Sequence, residues 1–263
     1  MFALPYPYID PVLVEIGPFV IRWYALAYLF GLILGWQYAR RLAKYPPNRI
    51  APLDVDDFLI WATAGVILGG RLGYVLFYRT EFYIANPLAI AQIWKGGMSF
   101  HGGLLGVVVA GVLYCRLRRL PILSFADLIF CAAPIGLGLG RIANFINGEL
   151  VGRPSNVPWA MVFPGFGPEP RHPSQLYQAA LEGLVLFVLM HLLWRVEAIR
   201  NRAGILSGAF LLGYGIFRSF AEFFRQPDAN LGFLYAGATM GQLLSMPMIV
   251  AGLILIWLGA RRR

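Results

Sequence analysis

Apolar residues run almost unbroken through long stretches of this chain, and charged residues gather between them. Seven such stretches, at 19–38, 58–78, 98–117, 125–145, 176–194, 205–224 and 238–258, approach the roughly 20 residues that a helix needs to cross a bilayer. No internal repeat and no low-complexity linker interrupts the pattern. It predicts an all-α integral membrane protein of about seven transmembrane helices, with residues 1–263 forming one polytopic domain. Two intervening segments are longer than turns. Residues 79–97 alternate polar and apolar side chains, with Phe82, Tyr83, Ile84 and Trp94, which predicts an amphipathic arm on the membrane surface. Residues 149–173 carry Pro154, Pro158, Pro164, Gly165, Gly167, Pro168, Pro170 and Pro173, which predicts an irregular cap.

Composition agrees with this reading. Hydrophobic residues make up 59% of the 263 and charged residues 13%, about half of what a soluble domain carries. The formal net charge of +9 then marks loops and not a nucleic-acid surface, because no basic patch interleaved with aromatics is present. Arg40, Arg41, Lys44, Arg49, Arg116, Arg118, Arg119, Arg195, Arg200, Arg202, Arg261, Arg262 and Arg263 fall on one side of the predicted spans. Arg79, Lys95, Arg153, Arg171 and Arg225 fall on the other. Positive charge concentrates in the cytoplasm, so the N-terminus is expected outside and the C-terminus inside. The N-terminal residues lack a basic leader and include Asp10 and Glu15, so a cleavable signal peptide is not expected.

Four cations remain, Arg22, Arg71, Arg141 and Arg218, each within or at the edge of a predicted span. An arginine at mid-bilayer costs about 2.5–3.5 kcal/mol or more on insertion scales, so each needs an anionic partner or a wet cavity. Glu182, Glu222 and Glu149 are the available carboxylates. A structural ion-pair network is one reading, favoured for Arg22 and Arg71. A binding site is the other, favoured for Arg141 and Arg218. Small residues at four-residue spacing, Gly31/Gly35, Gly65/Gly69/Gly73, Gly136/Gly140 and Gly204/Gly208, are expected to let helices approach closely.

With the N-terminus outside, Tyr24, His101, Arg141, Asn144, Asn147 and Glu149 share the outer half of the membrane with Tyr214, Arg218, Glu222 and Arg225. Those last four recur along one helical face. The cluster predicts one site open to the outer leaflet, suited to a phosphate headgroup whose acyl tails stay in lipid. His172 fits the entrance of such a site or a plain surface position equally well. His191 is expected near the cytoplasmic interface. Cys115 and Cys131 lie toward the cytoplasmic side, away from the site, and are expected to be inert packing residues.

Gly140-Arg-Ile-Ala-Asn-Phe-Ile-Asn-Gly-Glu-Leu-Val-Gly152 resembles the signature of the bacterial prolipoprotein diacylglyceryl transferase family. Four further stretches resemble it in the same order. They are Gly96-Gly-Met-Ser-Phe-His-Gly-Gly103, Arg171-His-Pro-Ser-Gln-Leu-Tyr177, Gly213-Tyr-Gly-Ile-Phe-Arg-Ser-Phe-Ala-Glu-Phe-Phe-Arg-Gln-Pro-Asp228 and Met240-Gly-Gln-Leu-Leu-Ser-Met-Pro-Met248.

The resemblance implies an enzyme of the bacterial inner membrane whose site faces the outer leaflet. It implies phosphatidylglycerol as donor and the lipobox cysteine of an exported prolipoprotein as acceptor. A thioether forms and glycerol 1-phosphate leaves, with no metal or organic cofactor. His101, Arg141 and Arg218 would carry the chemistry, His101 as base, with Gly102 and Gly103 leaving room for substrate. Tyr24, Asn144, Asn147, Glu149, Gly152, Tyr214, Glu222 and Arg225, together with Arg141, would bind substrate. Intramembrane arginines would also suit an organic-anion transporter, and seven spans a receptor. The absence of repeat symmetry and the one-sided Arg/His/Asn cluster weigh against both.

Overall fold

A computed structural model describes residues 4–17, 19–227, 232–234 and 237–261. Asp228, Arg262 and Arg263, used in the sequence reading, lie outside the described residues. Large apolar side chains point outward, with Leu72 at 51%, Leu105 at 64% and Leu184 at 65% exposure, while Gln175, Gln178, Glu182 and Ser207 are buried. That inversion is what a hydrocarbon solvent selects, because polar groups must find partners inside the protein. Among the described residues, five helices are long and apolar enough to cross a membrane: Pro52–Phe77, Phe100–Leu117, Ile122–Ile146, Ser174–Arg195 and Met240–Arg261. Ile205–Ala221 is apolar and shorter. The helix Trp23–Leu42 has 20 residues and ends in Arg40 and Arg41.

The chain divides into two compact units, residues 1–38 with 127–263, and residues 39–126. In the larger unit, β1 (Leu4–Pro5) pairs in parallel with β4 (Met161–Val162). A hairpin joins β2 (Val12–Ile16) to β3 (Phe19–Arg22). The first apolar stretch therefore does not begin as helix at residue 19. Val20 and Ile21 are β-branched and pair with Val14 and Glu15 next to a turn in which Gly17 takes φ 58°. Helix α1 (Trp23–Leu42) starts only after the strand, and Arg22 is an exposed strand residue outside any helix.

Helix α5 (Ile122–Ile146) ends where the Tyr6 hydroxyl donates to the carbonyls of Phe145 at 2.6 Å and Ile146 at 2.9 Å. Burial pushes the Tyr6 pKa above its ordinary value, which keeps this donor protonated. Beyond it, Phe145, Val151 and Phe163 form a small apolar cluster under Tyr6, Met161 and Leu176. Residues 149–173 are thus ordered by backbone bridges, such as Met161 to Arg171 and Gly152 to Arg225.

The next apolar stretch is one composite helix. It comprises α6 (Ser174–Gln178), a π-helical segment (Ala179–Val185) and α7 (Leu186–Arg195), followed by a short α8 (Glu197–Arg200). Helix α9 (Ile205–Ala221) stops three residues before the expected end, because residues 222–224 turn out of the helix. Its N-terminus is held by buried Asp127, which accepts from the Gly204 and Ser207 backbone N–H groups at 2.7 and 2.6 Å. Gly204 sits at φ 97°, a conformation that this turn requires and that favours glycine. Helix α10 (Met240–Arg261) packs on α9, where a Cβ on Gly252 would lie 2.7 Å from the Gly208 carbonyl. Gly136 meets Gly31, whose Cβ would stand 3.1 Å from the Gly136 Cα, but Gly140 faces open space.

In the smaller unit, α2 (Pro52–Phe77) lies against α4 (Phe100–Leu117). A Cβ on Gly65 would stand 2.7 Å from the Gly106 carbonyl, and one on Gly73 would stand 2.8 Å from the Gly102 Cα. This is the backbone contact that four-residue glycine spacing permits. Ion pairs of Arg40 with Asp56 at 3.3 Å and of Arg118 with Asp57 at 3.3 Å lie at the Pro52 end of α2.

The expected amphipathic helix over 79–97 is not continuous. It consists of α3 (Thr80–Ala85) and 3₁₀ turns at Pro87–Ala91 and Ile93–Lys95. The buried Arg71 guanidinium gathers carbonyls that a helix would have used internally. It donates to Ala89 at 2.7 Å, Ile90 at 2.8 Å, Gln92 at 3.3 Å and Gly97 at 3.1 Å, and also to Gly96. Its partners are backbone carbonyls and not the carboxylates of the ion-pair network that the sequence favoured for it.

Candidate functional site

Three elements of the larger unit deliver one ionic cluster. Arg141 comes from the last turns of α5, Glu182 from the π-helical segment and Arg218 from the last turn of α9. Arg141 Nε donates to Glu182 Oε2 at 3.3 Å, and Arg218 Nη1 stands 3.7 Å from Glu182 Oε1. Glu182 has no solvent exposure, so this carboxylate lies behind both guanidiniums, whose side chains keep 18% and 11% exposure. A lone carboxylate at such a position would give up its charge, and two cations stabilise it. The π-helical turn suits this arrangement, because its wider spacing re-aims a side chain within an otherwise regular helix.

The cluster continues outward through the turn that follows α9. Glu222 Oε1 accepts from Arg218 Nη2 at 2.7 Å and from Arg225 Nη1 at 3.2 Å. Glu222 Oε2 accepts from the Thr239 hydroxyl at 2.7 Å. Gly241 makes room, since a Cβ there would lie 2.6 Å from the Glu222 carboxyl carbon. Arg153 fixes the same turn by donating to the carbonyls of Arg225 at 2.9 Å and Glu222 at 3.1 Å. Tyr214, one turn before Arg218, lies beside Arg141 and stacks on Phe210.

A second polar group adjoins Arg141 along α5. Asn144 and Asn147 both donate to Glu149 Oε1, at 2.8 and 3.3 Å, and Tyr24 lies beside Asn144 and Glu149. The Gln175 side-chain amide donates to the Glu149 carbonyl at 2.7 Å. These groups are donors and acceptors of the size and spacing that a glycerol or phosphate oxygen can share.

The structure gives Gly152 a backbone role. Its N–H donates to the His172 carbonyl at 3.0 Å, and a Cβ would stand 2.7 Å from the Phe224 carbonyl. Only glycine fits between those two strands of backbone. His101 belongs to the smaller unit, in the first turn of α4, where Ser99 caps the helix by accepting from Gly102 N–H at 3.2 Å. Its imidazole is exposed and lies edge-on to Phe100. Gly102, expected to leave room for substrate, is packed on Gly69 and Gly73 of α2.

His172 is not a free surface residue. Its Nδ1 shares a hydrogen bond of 3.0 Å with the Tyr177 hydroxyl, and burial lowers its pKa from 6.5. His191 is half-buried and bonds the Tyr38 hydroxyl at 2.9 Å through Nδ1. Cys115 and Cys131 are buried and unpaired.

Sequence reading placed Glu182 only among possible partners and missed Thr239 and Arg153. Glu182 had a signal, as the one acidic residue in the apolar stretch 176–194. Thr239 had none.

Apolar helices of spanning length define a multi-pass membrane protein, and its larger unit holds a buried arginine–carboxylate cluster. The family model for prolipoprotein diacylglyceryl transferase matches residues 11–258, and the chain belongs to that family. Proteins named phosphatidylglycerol–prolipoprotein diacylglyceryl transferase align over nearly the whole chain. One from Paramagnetospirillum magneticum is 61% identical over 99% of this chain and 97% of its own length. One from Rhodospirillum rubrum is 61% identical over 100% and 96%, and one from Azospirillum brasilense is 61% identical over 100% and 98%. The chain is accordingly a membrane-bound transferase.

Proposed function

We propose that the chain moves the diacylglyceryl group of phosphatidylglycerol onto the lipobox cysteine thiol of an exported prolipoprotein, with the donor phosphate held by Arg141 and Arg218. The observation that carries this reading is the pair of guanidiniums backed by one fully buried carboxylate, with their partly exposed edges left for an anion. In this reading the protein spans the bacterial inner membrane seven times, N-terminus outside and C-terminus in the cytoplasm. The 149–173 cap and the site face the outer leaflet.

A free cysteine has a pKa of about 8.5 and is mostly protonated at neutral pH. His101 takes the thiol proton, a role for which an exposed imidazole at a helix start is available. The thiolate sulfur then forms a bond to the glycerol carbon as the bond from that carbon to the phosphate oxygen breaks. The electron pair goes to that oxygen, and glycerol 1-phosphate leaves. Arg141 and Arg218 stabilise the charge that develops on the phosphate. Tyr24, Asn144, Asn147 and Tyr214 bond glycerol or phosphate oxygens. Glu149, Glu222 and Arg225 hold the donors in place.

The test is lipid turnover. Purified protein in phosphatidylglycerol micelles releases glycerol phosphate only when a lipobox peptide is added, and Arg141→Ala abolishes the release. Release without peptide, or full activity in Arg141→Ala, overturns the reading.

A further inference from the structure

Glu182 touches both arginines yet leaves bonds unmade. Its Oε1 and Arg218 Nη1 stand 3.7 Å apart, and neither buried atom has a hydrogen-bond partner among the described residues. Arg141 is gripped through Nε, at 3.3 Å, so its two terminal nitrogens are not used by this carboxylate. Glu222, the other carboxylate on Arg218, is shared with Arg225 and Thr239. Among the described residues Glu182 is therefore the one acid common to Arg141 and Arg218, and it acts from the side away from solvent. Its seat is fixed by backbone contact, since a Cβ on Gly183 would lie 2.6 Å from the Gly138 Cα of α5.

Resting on the function proposed above, we infer that Glu182 is a positioning residue that lowers the positive charge of the phosphate clamp, so that the dianionic monoester product is held less tightly than two unopposed guanidiniums would hold it. The donor phosphodiester carries one negative charge. The leaving phosphate monoester has a second pKa of about 6 and carries nearly two at neutral pH. A fixed negative charge directly behind both guanidiniums repels a dianion about twice as strongly as a monoanion at the same distance, in a site where water screens poorly. Without it, the arginines would keep the product. Glu182 thus contributes to product release as well as to the orientation of the forks, and it touches no reacting atom itself.

The decisive variant is Glu182→Gln, which keeps the shape and an acceptor for Arg141 but removes the charge. In micelles with a lipobox peptide, inhibition by glycerol 1-phosphate should tighten by about tenfold or more. Inhibition by glycerophosphoglycerol, a soluble monoanionic diester, should tighten less. The kcat should fall while KM for phosphatidylglycerol falls or holds. As pH drops below the second pKa of the product, the ratio of variant to wild-type turnover should recover. A residue needed only for folding would lower stability and would move neither the dianion preference nor the pH profile. Unchanged inhibition by glycerol 1-phosphate in a folded Glu182→Gln enzyme overturns the inference.

A second arm uses the wild type alone and does not depend on the variant folding. Its affinity for glycerol 1-phosphate should rise by less than about tenfold as pH carries that ligand from monoanion to dianion. A tenfold rise would overturn the inference. Turnover that survives Arg141→Ala would instead overturn the underlying functional reading, so the two failures are distinguishable.

Discussion

Gly183 and Gly138 face each other where the π-helical segment crosses α5, with room for no side chain on either. A Cβ on Gly183 would lie 2.6 Å from the Gly138 Cα, and one on Gly138 would lie 3.1 Å from the Gly183 Cα. Glu182 precedes this contact directly, and Arg141 follows Gly138 on α5 by three residues. The helix crossing and the ionic cluster are therefore one construction. The backbone approach sets how far the carboxylate reaches toward the guanidinium.

Gly183→Ala tests that coupling. The added methyl forces the two helices apart, and overpacking of this kind costs about 1–3 kcal/mol. Thermal stability in micelles should fall, and turnover should fall further than the stability loss alone explains. Gly140→Ala is the control, because its Cβ would meet open space. It should leave both nearly unchanged. Equal effects of the two substitutions would separate the crossing from the site.

Cys115→Ala with Cys131→Ala should keep turnover, since the attacking thiol belongs to the acceptor peptide. Both thiols are buried, so a modest loss of thermal stability is expected from the cavities left behind. Loss of turnover in a well-folded double variant would indicate a covalent enzyme intermediate.

Five of the seven apolar stretches were legible as helices of spanning length because a bilayer requires such runs, and the arginine cluster was legible because it violates what a bilayer tolerates. A run of apolar residues needs no tertiary information, and Arg141 and Arg218 stand out as charges that must be compensated. Helix ends were less legible. At residues 19–22 a local hairpin competes with helix, and at 222–225 the chain turns where the distant Arg153 donates to the carbonyls of Glu222 and Arg225, so contacts outside the helical pattern decide. The arm at 79–97 reads as amphipathic from its alternation, but its shape is dictated by Arg71, which reaches residues 18 to 26 positions further along the chain. Glycine spacing was read correctly for Gly65, Gly69 and Gly73 of α2, which meet the backbone of α4. It failed for Gly140, whose Cβ would meet open space, and Gly204 serves a turn at positive φ, a property that spacing does not encode.

His172 makes the cap sensitive to acid. Burial depresses its pKa below 6.5, so the unfolded chain binds this proton more readily than the folded protein does. The unfolded state then binds more protons as pH falls through 6.5, and stability should decline across that window and be restored above it. His172→Phe removes the titrating group while keeping an aromatic ring against Phe224, whose ring centroid lies 5.2 Å away. The variant should lose this part of the pH dependence in thermal unfolding between about pH 7 and 5. An unchanged profile would place the acid sensitivity elsewhere.

Arg71→Lys should release the arm. Lysine keeps the charge but presents three donors from one point and not a planar fork, so it does not span the carbonyls of Ala89, Ile90, Gln92, Gly96 and Gly97. Limited proteolysis should then cut within 79–97 where the wild type resists. Ser99 N–H bonds the Gly70 carbonyl beside Arg71, so the start of α4 and His101 should also loosen, with lower turnover. Full protease resistance in the variant would show that the carbonyl fan is not what orders the arm.

Arg141→Lys and Arg218→Lys separate charge from geometry at the proposed clamp. Each keeps one positive charge and loses the planar pair of donors that meets two phosphate oxygens together. If the arginines act on the leaving phosphate, turnover should fall by about a hundredfold or more, because an interaction made chiefly in the transition state appears in the rate constant. Lipid binding should suffer less. If they serve only to neutralise Glu182 and Glu222, lysine should substitute well, since an ammonium can satisfy a carboxylate at the same distance. The defect of the alanine variants should then lie in folding and yield. The structure sharpens the contrast between the two sites. Arg218 already spends one terminal nitrogen on Glu222 at 2.7 Å, whereas Arg141 meets Glu182 through Nε. Arg141→Lys should therefore lose more turnover and less stability than Arg218→Lys. Steady-state kinetics in micelles, with thermal unfolding on the same samples, decides it. Near-wild-type turnover in both lysine variants would remove the bidentate clamp from the mechanism and leave His101 as its remaining chemical assignment.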